Sequence, residues 1–186
     1  LGDSATATLS LLENLLTWAR LQQEGIAVRP EEIWLHKTVD EVLRPLRGTA
    51  TRKNIALHNN VRPDLSVLAD QNLLDLLLRN LLSNAIKFTE SGGKVEVDDR
   101  VAENGWTEVA VRDTGIGIPE AMLENLWSAT GRKGRTGTGG EVCSSLGLVL
   151  CKEAAERLRG RLSVQSRVGE GTVFVFSLPA LEAKTR

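Results

Sequence analysis

The sequence predicts a two-layer α/β sandwich, in which a mixed and largely antiparallel sheet is covered by helices on one face, with a bundle helix in front of it. Three observations carry this expectation. Long apolar helical patterns at 35–53 and 71–88 precede a hairpin signature at 94–112, and a further helical pattern at 146–158 precedes two closing strands at 161–168 and 172–178. Helices followed by antiparallel hairpins favour one covered sheet over a doubly wound parallel one. The chain has 186 residues, 41% hydrophobic and 25% charged, enough for one sizeable core and a small appendage.

Each element has its own local reason. At the N-terminus Leu9, Leu12, Leu16 and Ala19 fall at 3-4-3 spacing, and Leu11, Leu15 and Trp18 form a second stripe beside them. A helix apolar on two adjacent faces suits a bundle with partners on either side. Gly25 and the extended Val28-Arg29-Pro30 then mark a boundary, which divides the chain into 1–25 and 26–186. In the second part Val39, Val42, Leu43 and Leu46 give a helix with Pro45 as its awkward residue, and 55–61 alternates as a strand. A short strand at 66–69 leads to Asp70, placed to cap the leucine-rich helix 71–88. Gly92 and Gly93 turn the chain into strands 94–101 and 106–112, joined through Asn104-Gly105. The stretch 129–141, rich in glycine and basic residues and nearly without apolar ones, reads as a mobile loop.

Composition excludes several classes of function. A formal net charge of -1 and a pI near 6.2, with no aromatic-rich basic stripe, make nucleic acid an unexpected partner. Apolar runs fall short of a membrane span, and no charged region precedes an apolar stretch at the N-terminus, so a cytoplasmic setting is expected. Cys143 and Cys151 have neither metal-ligand spacing nor a disulfide framework, which fits a reducing compartment. Cys151 sits with Leu150 on an apolar helix and reads as core, and Cys143 reads as a small loop residue.

Three segments carry chemistry. Asn80 and Asn84 are four residues apart and Lys87 three further on, so all share one helix face. An amide oxygen suits a hard cation such as magnesium that keeps waters and takes its other ligands from phosphates, and a lysine supplies a point charge for phosphate oxygens. The same amides on a leucine-rich helix also fit a plain solvated face. The second segment is Asp113-Thr114-Gly115-Ile116-Gly117-Ile118-Pro119, which follows an alternating strand. Its carboxylate can accept from an exocyclic amine while its glycines let the backbone approach a flat ligand. A hairpin end closed by a glycine turn would read the same locally. The third segment is the loop with Arg132, Lys133 and Arg135, ending at Gly147 where a helix begins, an arrangement suited to anions.

Taken together and in this order, the segments resemble the ATP-binding catalytic domain of sensor histidine kinases, within the superfamily of gyrase-type and heat-shock chaperone ATPases. Asn80-Leu81-Leu82-Ser83-Asn84-Ala85-Ile86-Lys87-Phe88 matches the family's N box, and 113–119 its first glycine box. Residues 123–127 stand where the Phe-containing box is usual, with Trp127 in place of Phe, and 137–148 resembles the second glycine box, continued by Leu150-Cys151-Lys152-Glu153. Residues 9–25 resemble the second helix of the dimerisation and histidine-phosphotransfer hairpin.

The resemblance implies a Bergerat-type fold, ATP and Mg2+ as ligands, and transfer of the γ-phosphoryl group to a histidine for relay to a response regulator receiver domain. Asp113 would bind the adenine amino group, with Gly115, Gly117 and Ile118 against the base. Asn84 would coordinate magnesium beside Asn80, and Asn80 and Lys87 would serve the transferring phosphates. Arg135, Thr138, Ser145, Leu146, Gly147 and Thr172 complete the implied nucleotide-contacting set. Ser145 stands where the family most often has glycine, which predicts weaker nucleotide binding or lid closure if positive φ is needed there. His36 and His58 lack the acidic neighbour of a phosphoacceptor box, which places the acceptor histidine on a hairpin helix upstream of Leu1. The N-terminal helix suits a homodimer, and the parent protein could be membrane-anchored. Two other readings use the same fold: a degenerate non-catalytic scaffold, and a related serine kinase acting on a partner protein.

Overall fold

The computed structural model describes residues 28–102, 105–127, 136–140 and 146–179. The elements run β1 (Glu31–Trp34), α1 (Leu35–Arg52), β2 (Ala56–Asn59), β3 (Ser66–Ala69) and α2 (Gln71–Phe88). They continue as β4 (Lys94–Val101), β5 (Trp106–Asp113), α3 (Glu120–Leu123), α4 (Leu146–Arg157), β6 (Arg161–Arg167) and β7 (Gly171–Pro179). The strands β2-β4-β5-β7-β6 form a five-stranded sheet, antiparallel except for the parallel pair β2 and β4. This is the mixed, largely antiparallel sheet that the sequence predicts.

Alternation along β5 and β7 decides which face is covered. Thr107, Val109, Val111 and Asp113 are buried while their neighbours are not, and in β7 Phe174, Phe176 and Leu178 face the same way. Helix α2 packs on that face with nine buried residues, of which Leu74, Leu77, Leu78, Leu81 and Leu82 are wholly enclosed. Each such leucine contributes roughly 1.5–3 kcal/mol by leaving water, so α2 is the main apolar element of the core. Cys151 on α4 is fully buried, its Sγ 3.9 Å from Leu77 O, and burial pushes its thiol pKa well up, so it is an inert core residue.

Asp70 caps α2 as its position suggests: Oδ1 accepts from Asn72 N at 3.0 Å and Leu73 N at 3.2 Å, while Oδ2 accepts from Arg29 N at 3.0 Å. Pro45 lies inside α1, which continues through it on the exposed side.

Two expectations need correction, and one strand goes beyond them. Residues 31–34, not foreseen as a strand, pair antiparallel with β3 as a separate two-stranded sheet, Ile33 facing Val67. The strand expected over 55–61 is shorter, Ala56–Asn59, because Asn59 turns its side chain back to His36 O and Asp40 Oδ1. The amphipathic segment after Pro119 gives one helical turn only. The N-terminal bundle helix, the turn residue Asn104 and most of the glycine-rich basic loop lie outside the described residues. No helix among the described residues is long and apolar enough to cross a membrane.

Candidate functional site

The site begins where β5 ends. Asp113 is 6% exposed, and its Oδ1 accepts from Gly115 N at 2.9 Å and Thr172 N at 3.2 Å. Burial raises its carboxyl pKa from 3.8 to about 6 against the pull of those two amides. Among the described residues Oδ2 accepts no hydrogen bond, and the one fully enclosed side-chain polar atom without a partner is Thr107 Oγ1, so Oδ2 is open to a ligand. One carboxylate oxygen is thus fixed by backbone and the other is presented.

The glycines after Asp113 are dictated by close approach. A Cβ on Gly115 would lie 2.3 Å from Phe88 O, the carbonyl that also accepts from Ile116 N at 3.1 Å. Gly117 adopts φ +69, and a Cβ there would meet Arg167 O at 2.1 Å. The loop is therefore clamped between the end of α2 and the turn joining β6 to β7. Ile118 N completes the clamp by donating to Ser166 Oγ at 2.8 Å.

Helix α2 brings up the second group. Asn84 and Lys87 are half-buried and, among the described residues, hold no side-chain hydrogen bond. Asn80 is already engaged: its Nδ2 donates to Leu76 O at 2.8 Å, and its Oδ1 would lie 2.8 Å from a Cβ on Gly147. Gly147 therefore lets the first turn of α4 settle against Asn80, with Leu146 half-buried beside it. Asn80 of α2 and Gly147 at the start of α4 are thus neighbours.

The C-terminal carbonyls of α2, which an isolated helix leaves unsatisfied, are taken by other parts of the site. Lys53 Nζ donates to Ile86 O, Lys87 O and Thr138 Oγ1 at 2.9, 3.0 and 2.8 Å. Thr138 N donates to Lys87 O at 2.9 Å, and its hydroxyl lies 2.8 Å from Thr89 O. Thr138 is thus placed at the end of the helix that carries Lys87. Lys53, which the sequence reading missed, pins residues 136–140 there with a charge suited to the negative end of the helix. Arg135 and Ser145 lie outside the described residues, as do Arg132 and Lys133. Among the described residues no three His, Cys, Asp or Glu side chains group as a metal site, so a cation here would draw on Asn84 and on ligand oxygens.

Comparison with known proteins decides the family. The profile of the histidine kinase-, DNA gyrase B-, and HSP90-like ATPases matches residues 69–182, more than half of the chain. The chain belongs to this family. The sensor histidine kinase AtsR of Burkholderia thailandensis is 31% identical over 183 residues, covering 96% of this chain and 30% of that protein. Among solved structures, full-length ShkA in complex with AMPPNP superposes with a TM-score of 0.81 at 26% identity, covering 97% of this chain and 37% of that one. The nucleotide-free catalytic domain of the histidine kinase ThkA gives a TM-score of 0.70 at 27% identity, over 82% of this chain and 96% of the domain. The chain spans 18 to 30% of the length of eight curated relatives it matches. It is an ATP-binding catalytic domain of the sensor histidine kinase type.

Proposed function

We propose that this domain binds magnesium-ATP and transfers the γ-phosphoryl group to a histidine on a dimerisation hairpin, from which it passes to the receiver domain of a response regulator. The observation that carries the reading is Asp113, anchored through Oδ1 and open at Oδ2, on the same site as the polar face of α2. Oδ2 accepts from the adenine amino group while the clamped glycine loop lies along the base. Asn84 offers its amide oxygen to magnesium, whose charge neutralises the phosphates when it is bound, and Lys87 reaches phosphate oxygens. Asn80 lies against Gly147 at the start of α4, and the N-terminal end of that helix suits anions. AMPPNP in ShkA supports the nucleotide, and the sensor histidine kinases among the relatives support the reaction class.

In the transfer, the bond from the γ-phosphorus to the bridging oxygen breaks and ADP leaves. A bond forms to an imidazole nitrogen, and the imidazole loses its proton. The protein mainly positions the groups and neutralises charge. His36 and His58 are not suited as acceptors, since His36 contacts Val61 O and Asp40 on α1 and His58 stands on edge strand β2. Residues 1–25 would form the second helix of the hairpin and 26–186 the catalytic domain, with a homodimer formed through that helix.

Calorimetric titration with ATP or a non-hydrolysable analogue, with and without magnesium, tests the reading. Saturable, magnesium-dependent binding that is lost in Asp113→Ala is expected, followed by phosphotransfer to an added acceptor hairpin. A folded chain that binds no nucleotide would overturn it.

A further inference from the structure

Helix α2 turns its unfavourable end toward phosphate. Its last in-helix hydrogen bond runs from Thr89 N to Ala85 O at 3.0 Å, which leaves the carbonyls of Ile86, Lys87 and Phe88 beyond the ladder. Such an end carries roughly half a negative charge, felt mainly within the last turn. Lys87 stands in that turn and Asn84 just before it, so the groups proposed to receive the phosphates lie where the helix itself repels them. The start of α4 has the opposite sign.

Lys53 meets this end of α2 with a full positive charge. Ile116 N takes the Phe88 carbonyl at 3.1 Å, while Lys53 Nζ donates to the other two, Ile86 O at 2.9 Å and Lys87 O at 3.0 Å. The same ammonium donates to Thr138 Oγ1 at 2.8 Å, and Thr138 N donates to Lys87 O at 2.9 Å. The backbone fixes where this lysine starts. Lys53 N and Ile55 N both donate to Ala50 O, at 3.1 and 2.9 Å, and Asn54 O accepts from Gly92 N at 3.1 Å. Lys53 is half-buried, so solvent and salt screen its charge less than they would on an open surface.

We propose that Lys53 is a positioning residue for the phosphate end of the site: its ammonium offsets the negative end of α2 and fastens Thr138 to it, which favours a ligand in step with its phosphate charge. The inference rests on the nucleotide reading above. Lys53 acts through the helix end and not by touching the ligand. A neutral side chain there would leave the two carbonyls facing the incoming charge. The loss would grow with the charge of the ligand and spare the recognition of the base.

The test titrates ATP, ADP and adenosine, with magnesium and at fixed ionic strength, into the intact chain and into Lys53→Met, Lys53→Gln and Lys53→Arg, using displacement where binding is weak. Lys53→Met should weaken ATP about tenfold, ADP less and adenosine hardly at all. Lys53→Gln still donates hydrogen bonds but carries no charge, and should lose ATP affinity in the same order. Lys53→Arg keeps the charge and should stay within about threefold of the parent for ATP. A merely structural lysine would weaken all three ligands alike, which would overturn the inference, as would a Lys53→Arg no better than Lys53→Met. If Lys53→Met fails to fold, Lys53→Gln and Lys53→Arg decide. A parent chain that binds none of the three ligands would instead sink the nucleotide reading itself, and this inference with it.

Discussion

The two ends of the site are built in opposite ways. At the base end the shape is held by backbone: Asp113 is gripped by two amides, and Gly115 and Gly117 are wedged against Phe88 O and Arg167 O at distances no side chain tolerates. At the end proposed for the phosphates the site is lined by side chains on one face of α2, and the side chains of Asn84 and Lys87 hold no hydrogen bond among the described residues. The base end is preorganised for one flat ligand. On the proposed reading, the phosphate end takes its order from charge that arrives with the ligand.

Gly117→Ala should break the base end outright. The added methyl meets Arg167 O at 2.1 Å in a backbone with φ +69, and the two penalties together predict a loss of about 3 kcal/mol or more in urea unfolding. Unchanged stability would mean the loop is not clamped as described.

Asp113→Asn should separate binding from stability. Asn keeps an oxygen for Gly115 N and Thr172 N but turns a donor toward the base, so ATP affinity should fall about a hundredfold. The carboxyl pKa is raised in the folded protein, from 3.8 to about 6. Such a group supports the fold fully below pH ~4, and that support is lost as pH rises through about 6. At pH 7.5 the neutral variant should therefore be more stable than the parent in urea unfolding, by up to about 3 kcal/mol, and the gap should shrink toward pH ~4. Parent affinity for ATP should weaken as pH drops through about 6, where the carboxylate takes up its proton.

Asn84→Ala sharpens the contrast from the phosphate end. It should cost about tenfold in ATP affinity with magnesium and little without it, while denaturation stays within about 0.5 kcal/mol of the parent. An equal loss with and without magnesium would remove Asn84 from the cation. Thr107→Val should show the smallest effect, a gain of up to about 1 kcal/mol with unchanged binding. It relieves an enclosed hydroxyl without a partner far from the ligand.

Much of this was legible in the sequence, for reasons that differ by region. Helix α2 has the bounds its periodicity predicts, because Asp70 starts it and an unbroken leucine stripe carries it. The hairpin β4–β5 was legible because its alternation and glycine turn are local. Strand β1 was not, since Glu31 and Glu32 mask its pattern and its partner β3 lies more than thirty residues away. The parallel pairing of β2 with β4 was hidden likewise, because alternation shows a strand but not its neighbour. In the site, Asp113 and the glycines announced themselves. Ser166 and Lys53 did not: a serine in an alternating strand and a lysine after a helix look like ordinary surface until the fold gives them partners. The double stripe of residues 9–19 and the positions of Arg135 and Ser145 lie outside the described residues.

Helix α2 is at once the spine of the core and, on the proposed reading, the platform for the phosphates: Leu81 and Leu82 are wholly enclosed, and Asn80 and Asn84 are only half-buried. Occupancy of the site and survival of the fold therefore share one free-energy ledger. A ligand at a hundred times its dissociation constant adds about 2.7 kcal/mol to unfolding, so a melting curve doubles as a binding isotherm. The converse also holds. A truncation such as Leu81→Ala, costing roughly 2–5 kcal/mol, would read in an affinity assay as a damaged nucleotide site although it touches no nucleotide.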